Sequence, residues 1–406
     1  MLAQDQRVNS INFEGNNKTK VAYLESLLTI KRGQVFDENQ LKEDILRIIR
    51  EPAVSHAHHY NSSMETSTII DIIIHIEENK TLIPSVNVWS TLDQNIAFHL
   101  GVNDYNFLGQ GYTFGGFYRK NIYAGYGLLI ENNNFSHWSN ELKFIAQQQE
   151  TLEPLTFEEQ QSRYRYRFKT IELLFGKELN LYHKASIGIG RIYERYQYKE
   201  GEQAASAPVQ FKTNKYLGKL GFQINKIAPY YFYRNGWSNQ SFFTYVVGKN
   251  VDNSNEFYQF ENESLYFKRI KTRGNFAFRM KVGLSRNSDS PFPPFVIDNN
   301  QNVRGAGNLI QRGNGLWVIN IEYRKTLVEQ KWFAVQWSFF SDNAGIQAPG
   351  EQLNSLVKSK NRHHFAGVGL RFIHKYIYRA VLRLDYGIAL HGQKRSGLVF
   401  GVGQYF

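Results

Sequence analysis

The strongest constraint on the fold is a strict alternation of side chains between Trp317 and Phe340. One face of this stretch is aliphatic and aromatic, and the other is partly charged. The apolar face carries Trp317, Ile319, Ile321 and Tyr323, and the other face carries Val318, Asn320, Glu322 and Arg324. A period of two residues is that of a β-strand with two different faces. In a soluble sandwich the charged face would meet water, whereas in a membrane barrel it would line the lumen.

Composition favours the barrel. Aromatic residues make up 15% of the 406 residues, cysteine is absent and the mean hydropathy is negative. No run of about 18 apolar residues exists, so a transmembrane helix is excluded. Transmembrane strands need only about 9–11 residues each and alternate, so their mean hydropathy stays low. Without cysteine the chain has no disulfide, thiolate zinc site or cysteine nucleophile.

The formal net charge of +12 leaves three kinds of partner open: nucleic acid, an acidic membrane surface, or anions in a basic lumen. Residues 163–169 place four cations on one face and three aromatic rings on the other. This alternation fits a barrel wall better than a nucleic-acid surface, so we expect no nucleic acid. The predicted lumen-lining cations are Arg163, Arg165, Arg167, Arg279, Arg371 and Arg383.

Residues 5–80 differ from the rest of the chain. A short strand is followed by two amphipathic helices, the second capped by Asp37 and ended before Pro52, and then by two more strands. The predicted order is β-α-α-β-β, a small α+β domain. In residues 81–406, segments with the two-residue period recur between turns and long polar stretches, and at about 20 residues per strand and connection we expect about 16 strands of an antiparallel transmembrane barrel.

The first domain resembles the POTRA domain, the polypeptide-transport-associated module of outer-membrane assembly proteins. The matching segments are Ile11-Asn12-Phe13-Glu14-Gly15-Asn16, the helix start at Thr19, Gly33-Gln34-Val35-Phe36-Asp37, and Leu41 through Ile49. This resemblance implies that residues 5–80 lie in the periplasm.

The second domain resembles the barrel of the BamA/TamA superfamily, the bacterial surface-antigen type, in a short form with a single POTRA domain. Several segments match in the family's order. They are Val303-Arg304-Gly305, Glu322-Tyr323-Arg324, Phe340-Ser341-Asp342, Gly367 through Phe372, and Leu382 through Gly387. The resemblance implies a location in the outer membrane of a Gram-negative cell.

In that superfamily a conserved loop folds back into the lumen, where acids on the wall hold its arginine. The resemblance therefore implies that Val303, Arg304 and Gly305 form such a loop, with Glu322 and Asp342 as partners of the arginine. The alternation places both acids on the polar face. A guanidinium can bind two carboxylates through its planar set of donors, so the chemistry suits this arrangement.

The end of the chain resembles the superfamily's assembly signal, with Phe400, Val402 and Phe406 expected on one face of the last strand. Two positions depart from the family pattern. Ala306 stands where an aromatic residue is usual, so we expect the apolar anchor of the loop to be weaker or to come from Leu309 or Ile310. Gln404 also replaces an aromatic residue, so the assembly signal is imperfect.

The resemblance implies a protein that assists assembly, insertion or translocation of polypeptides, without enzymatic activity, cofactor or metal. The implied partners are outer-membrane lipids, client polypeptides bound along the POTRA edge strand, and assembly machinery. Two alternatives stay open: a small-solute channel, and a membrane anchor for a fused or partner enzyme of the patatin type. The stretch Met1–Asp5 is either the remnant of a signal peptide or a start for expression.

Overall fold

The protein is described by a computed structural model. It places residues 6–62, 68–90, 96–120, 122–132, 141–157, 160–202, 204–205, 207–249, 254–287, 292–297, 302–306, 311–391 and 395–406.

The N-terminal domain is a three-stranded sheet with two helices. Its elements are β1 (Arg7–Glu14), α1 (Val21–Leu27), α2 (Glu38–Ile49), β2 (Val54–Ser62) and β3 (Ile69–Glu78). Strand β3 is central, parallel to β1 and antiparallel to β2. The β-α-α-β-β order predicted from the sequence is confirmed.

Helix α2 shows how the sequence sets this packing. The side chain of Asp37 accepts hydrogen bonds from the backbone N–H groups of Asn39 and Gln40, as an N-cap does. Leu41 and Ile48, on the predicted apolar stripe, are fully buried in the domain core. In the part of the chain that the structure describes, no helix has the length and apolarity needed to cross a membrane.

The rest of the chain forms a closed antiparallel barrel of 16 long strands, as predicted. The strands are β4 (Leu82–Ser90), β5 (Ile96–Phe107), β6 (Tyr112–Lys120), β7 (Ala124–Asn132), β8 (Glu141–Phe157), β9 (Gln160–Asn180), β10 (His183–Gly201), β11 (Gln210–Asn225), β13 (Tyr233–Lys249), β14 (Ser254–Ile270), β15 (Gly274–Ser285), β18 (Gly315–Glu329), β19 (Phe333–Gln347), β20 (Arg362–His374), β21 (Val381–Ala389) and β22 (Ser396–Val402). A short strand β12 (Ala228–Tyr230) pairs with β13. Two 3-10 helices, Leu353–Val357 and Ser359–Asn361, precede β20.

The alternation that predicted these strands is present in the wall. On β18 the side chains of Val318, Asn320 and Glu322 are fully buried inside, whereas Ile321 is 38% exposed outside. The outer face carries many exposed large apolar side chains, among them Ile171, Ile187, Ile189, Leu220, Val368, Leu370 and Leu398. An apolar wall of this extent requires lipid rather than water around it.

The N-terminal domain packs against one end of the barrel. Arg50 donates hydrogen bonds to the carbonyl oxygens of Leu181, in the turn after β9, at 2.7 Å, and of Asn225, the last residue of β11, at 3.0 Å. Lys18 forms an ion pair with Asp104 at 2.9 Å. We term this the near end. Strands β8 and β10 end, and strands β9 and β11 begin, at the opposite, far end.

The chain between β15 and β18 enters the barrel. Its strands β16 (Phe295–Ile297) and β17 (Gln311–Gly313) form a small antiparallel hairpin. Phe295, Ile297 and Val303 pack in one buried cluster with Val318 and Phe365 of the wall. This inserted loop therefore occupies the lumen, and it places the residues of the site described next.

Candidate functional site

Arg304 of the inserted loop is fully buried against the inner wall. Its Nε and Nη2 donate to the two carboxylate oxygens of Asp342 at 2.9 and 3.0 Å. Its Nη1 lies 2.5 Å from Oε2 of Glu322. The backbone N–H of Arg304 also donates to Asp342 at 2.8 Å. The guanidinium is thus bound by two carboxylates, and one of these contacts is bidentate.

A second layer of charge surrounds this contact. Arg371 connects Oε1 of Glu322, at 3.1 Å, with Oδ1 of a third acid, Asp385, at 2.7 Å. Arg324 binds Glu322 at 2.7 Å, and Arg383 binds Asp385 at 3.0 Å. We term the whole group the lumen cluster: Arg304, Arg324, Arg371, Arg383, Glu322, Asp342 and Asp385. Each charge in it has an opposite charge in contact, as burial requires.

Aromatic rings enclose the guanidinium. Its Cζ lies 3.7 Å from the ring centre of Phe340 and 4.4 Å from that of Tyr405. Both distances are those of cation–π contacts. Tyr405 reaches the lumen because the chain turns at Gly403, where φ is +94°, beyond the end of β22.

The tip of the loop depends on two glycines in contact. Gly305 has a φ of +87°, and a Cβ added there would lie 2.6 Å from the backbone carbon of Gly387 on β21. A Cβ on Gly387 would in turn lie 2.8 Å from the carbonyl oxygen of Arg304. Only glycine suits this positive φ and close approach, so the pair sets how closely Arg304 approaches the wall.

The inserted loop has a second anchor on the other side of the barrel. Phe292 stacks on Tyr196, with ring centres 3.4 Å apart, in a cluster with Tyr164 and Tyr166. Arg312 binds both carboxylate oxygens of Glu153 on β8. The barrel order separates β8–β10 from β18–β21 by about half the circumference. The loop is therefore held at two opposite walls.

The structure brings the predicted loop and wall residues together. Val303 and Arg304 are fully buried, Gly305 lies at the tip, and Glu322 and Asp342 are the two acids in direct contact with Arg304. Of the predicted lumen cations, three lie inside the barrel. They are Arg371 and Arg383 of the lumen cluster and Arg279, which binds Glu263 at 2.7 Å.

The prediction that Arg163, Arg165 and Arg167 line the lumen is wrong. On β9 the alternate residues Tyr164 and Tyr166 face inward, where they contact Phe292 of the inserted loop. The three arginines share the outer face with Ile171, which is 58% exposed. Alternation separates two faces without saying which is inside. In this protein the inserted loop covers the aromatic face of β9. The arginines on the other face lie near the far end of this long strand, where charged side chains can lie outside the lipid.

Phe406 also differs from the expectation that it shares a strand face with Phe400 and Val402. Strand β22 ends at Val402, with Phe400 exposed outside. Phe406 instead lies beside the lumen cluster, its ring centre 5.5 Å from Cζ of Arg324. The turn at Gly403 breaks the alternation that the sequence suggested.

Several members of the site were not predicted as partners of Arg304. Asp385 and Arg371 could have been found, because the alternation of β20 and β21 places them on the same inner face as Glu322. Phe340 could also have been found from the parity of β19. Local sequence patterns do not encode chain turns or contacts across the lumen. These features determine the positions of Tyr405, Phe292 and the Arg312–Glu153 pair, so none of them could be predicted. Among the described residues no group of three or more metal-binding side chains is arranged around a common point.

Comparisons with known proteins agree with this architecture. Residues 6–79 match the family model described as "POTRA: Surface antigen variable number repeat". No curated protein sequence matches the chain. The structure of BamA from Haemophilus ducreyi lacking POTRA domains 1–3 aligns with a TM-score of 0.57 and 15% identity, over 98% of this chain and 84% of that one.

Two further solved structures share the fold. CdiB from Acinetobacter baumannii aligns with a TM-score of 0.61 and 12% identity, over 99% of this chain and 74% of that chain. CdiB from Escherichia coli aligns with a TM-score of 0.65 and 10% identity, over 98% and 76%. The resemblance stated from the sequence is thereby confirmed at the level of architecture: the chain is a single POTRA domain followed by a 16-strand outer-membrane-type barrel with the fold of BamA and CdiB.

Proposed function

We propose that this chain assists the insertion or translocation of polypeptides at the outer membrane, with its POTRA domain in the periplasm and no enzymatic step. The observation that carries the proposal is the seam of the barrel. Among the described residues, strands β22 and β4 share two registered pairs, Phe400 with Val88 and Gly401 with Asn87. The neighbouring contacts β21–β22 and β4–β5 share seven and nine. A seam this short is the weakest line of the wall and can open sideways towards lipid.

The POTRA domain supplies a place for an extended client. Strand β2 pairs with β3 on one side, and within the described residues its other edge has no partner strand. An open edge can add a strand from another chain through backbone hydrogen bonds. A client strand bound at β2 would then lie close to the near end of the barrel.

The inserted loop has a supporting role in this proposal. Arg304 ties the loop to β18 and β19 through Glu322 and Asp342, and Asp385 on β21 extends the same cluster towards the seam strand β22. The loop would therefore brace the wall beside the seam while it restricts the lumen. This bracing is the function that we assign to Arg304 as a lock.

An engineered disulfide tests the seam, since the chain contains no cysteine. Val88→Cys with Phe400→Cys would join the two strands at a registered pair. Tyr386→Cys with Leu398→Cys is the matched control, because this pair lies within the continuous sheet. We expect the seam disulfide to block client handling until it is reduced, and the control disulfide to leave it unchanged. Equal activity of both oxidised variants would contradict a moving seam.

Depletion in the native host tests the function itself, by quantitative proteomics of the outer membrane. A broad loss of barrel proteins would identify an assembly factor, and loss of one secreted or surface protein would identify a dedicated translocator. An unchanged outer-membrane proteome would overturn the proposal and leave the small-solute channel or the membrane anchor.

A further inference from the structure

The outward orientation of the β9 arginines reveals a basic surface on the outside of the barrel. Cations from three adjacent strands face outward near the far end, with two carboxylates among them. We term this group the outer basic surface. Its cations are Arg163, Arg165, Arg167 and Lys169 of β9, Arg195 of β10 and Lys212 of β11, with Arg191 lower on β10, opposite Ile171, and its acids among the described residues are Glu150 and Glu200.

The centre of this surface is a row of three cations on neighbouring strands. Arg167 is registered opposite Arg195, and Arg195 is registered opposite Lys212. Neighbouring strands lie about 4.8 Å apart, and like charges directly opposite one another destabilise a sheet. A row of this kind therefore favours an anion that can contact all three side chains.

Among the residues that the structure describes, carboxylates compensate the row only at one end. Glu150 lies 2.7 Å from Nε of Arg167 and also binds Arg165. Arg195 contacts a neutral group, the side-chain amide of Gln210, at 2.9 Å from its Nε. Lys212 is exposed and has no ion pair with any residue that the structure places. Arg195 and Lys212, the middle and the other end of the row, thus have no carboxylate in contact among the described residues.

The height of the row places it at a membrane boundary. Below it on the same outer face lie Ile171, Ile189 and Leu220, each about 60% exposed. Arg167 is four residues from Ile171 along β9. With a rise of about 3.3 Å per residue and a strand tilt of about 40°, Arg167 lies about 10 Å above Ile171 along the barrel axis. Tyr216, beside Arg191 at 5.7 Å, lies between the two levels. Aromatic residues favour this interfacial level, and the polar headgroup region begins just above it.

We propose that the outer basic surface binds the phosphate groups of a lipid headgroup in the membrane leaflet at the far end of the barrel. Arginine binds phosphate through its planar set of donors, and lysine binds it as a point charge. The adjoining apolar wall of Ile171 and Ile189 would hold the acyl chains of the same lipid. This inference goes beyond the handling of polypeptides and does not depend on it.

Lipid retention by the purified protein tests the proposal. The full chain is placed in nanodiscs of phosphatidylcholine that contain a small fraction of a bisphosphorylated glycolipid, and bound glycolipid is measured by native mass spectrometry. The test variant carries Arg167→Gln, Arg195→Gln and Lys212→Gln. Each cation near a charged lipid contributes about fivefold in affinity, so the triple variant is expected to bind about 100-fold more weakly.

Two controls separate the site from general charge and from folding. Lys177→Gln, Lys325→Gln and Lys331→Gln remove the same charge from exposed positions towards the near end, and binding should be retained. Arg167→Lys with Arg195→Lys keeps the charge and should retain most of the binding. Heat-modifiable migration on gels checks that each variant is a folded barrel, so a folding failure is not mistaken for a lost site.

Two further arms distinguish the source of the phosphate. The same glycolipid without its phosphates should bind no better than phosphatidylcholine, and millimolar inorganic phosphate should compete only weakly. Equal retention by wild type and the triple variant would overturn the proposal. So would equal retention of the dephosphorylated lipid, which would indicate apolar contact alone. Tight binding of inorganic phosphate without lipid would assign the surface to free phosphate instead.

Discussion

Cations on the two sides of one barrel wall have opposite surroundings. On the inner face of β10 and β11, Lys215 lies 2.6 Å from Glu194, and both side chains are largely buried. On the outer face of the same strands, Arg195 is registered beside Lys212 with no acid between them. The lumen cluster repeats the inner pattern, since every arginine in it contacts a carboxylate.

The difference shows what each environment demands of a charge. A charge buried in the lumen favours a partner within the protein, because an unpaired buried charge is costly. A charge on the outer face can be neutralised by salt, water or a lipid headgroup, so the sequence need not supply a partner. A missing acid on the outer face is therefore compatible with an external anion, such as a lipid phosphate.

The largest expected effect comes from removal of one acid of the lumen cluster. Asp342→Ala removes the bidentate partner of the fully buried Arg304, so we expect the free energy of unfolding to fall by about 3–5 kcal/mol. Denaturant unfolding in detergent measures this. Glu256→Ala, at an exposed outer position, is the control and should change stability by less than about 0.5 kcal/mol. Equal losses of stability in the two variants would show that charges on the inner and outer faces do not differ in their contribution to stability.

The second expected effect is coupling between Arg304 and Asp342. Arg304→Ala removes the charge that Asp342 compensates, so the double variant should lose less stability than the sum of the two single variants. Side chains in direct contact couple by about 0.5–3 kcal/mol. Additive losses would mean that the carboxylate contacts seen here contribute little, and that Phe340 and Tyr405 hold the loop instead.

The third effect concerns the backbone of the same loop. Gly305→Ala introduces a Cβ at a φ of +87° and 2.6 Å from Gly387, so we expect a loss of about 1–3 kcal/mol. Gly350→Ala is a matched control, since Gly350 also has a positive φ but nothing within 4 Å of the added Cβ. Comparison of the two in denaturant unfolding separates backbone strain, which they share, from contact with the wall.

The sequence predicted the barrel because alternation is a local property that each strand repeats. The resemblance implied Glu322 and Asp342 as partners of Arg304, and the parity of β18 and β19 agreed, since it places both on the polar face. The sequence-based prediction failed for Arg163, Arg165 and Arg167, because their inward neighbours are covered by Phe292, a residue more than 120 positions away in the chain. Contacts across a lumen and the height of the lipid boundary are properties of the closed barrel, and no single strand contains them.

The smallest expected effect is on the outer face. Arg195→Gln removes the central cation of the row and with it the repulsion from Arg167 and Lys212. In neutral detergent we therefore expect no loss of stability, or a gain of less than about 1 kcal/mol. The gain should shrink as salt is raised, because salt screens exposed charges. In discs with phosphorylated lipid the same substitution should instead destabilise, since wild type then gains an anion that the variant binds more weakly. A loss of stability in neutral detergent would show that Arg195 has partners within the wall. Cations on both faces would then depend on partners in the protein.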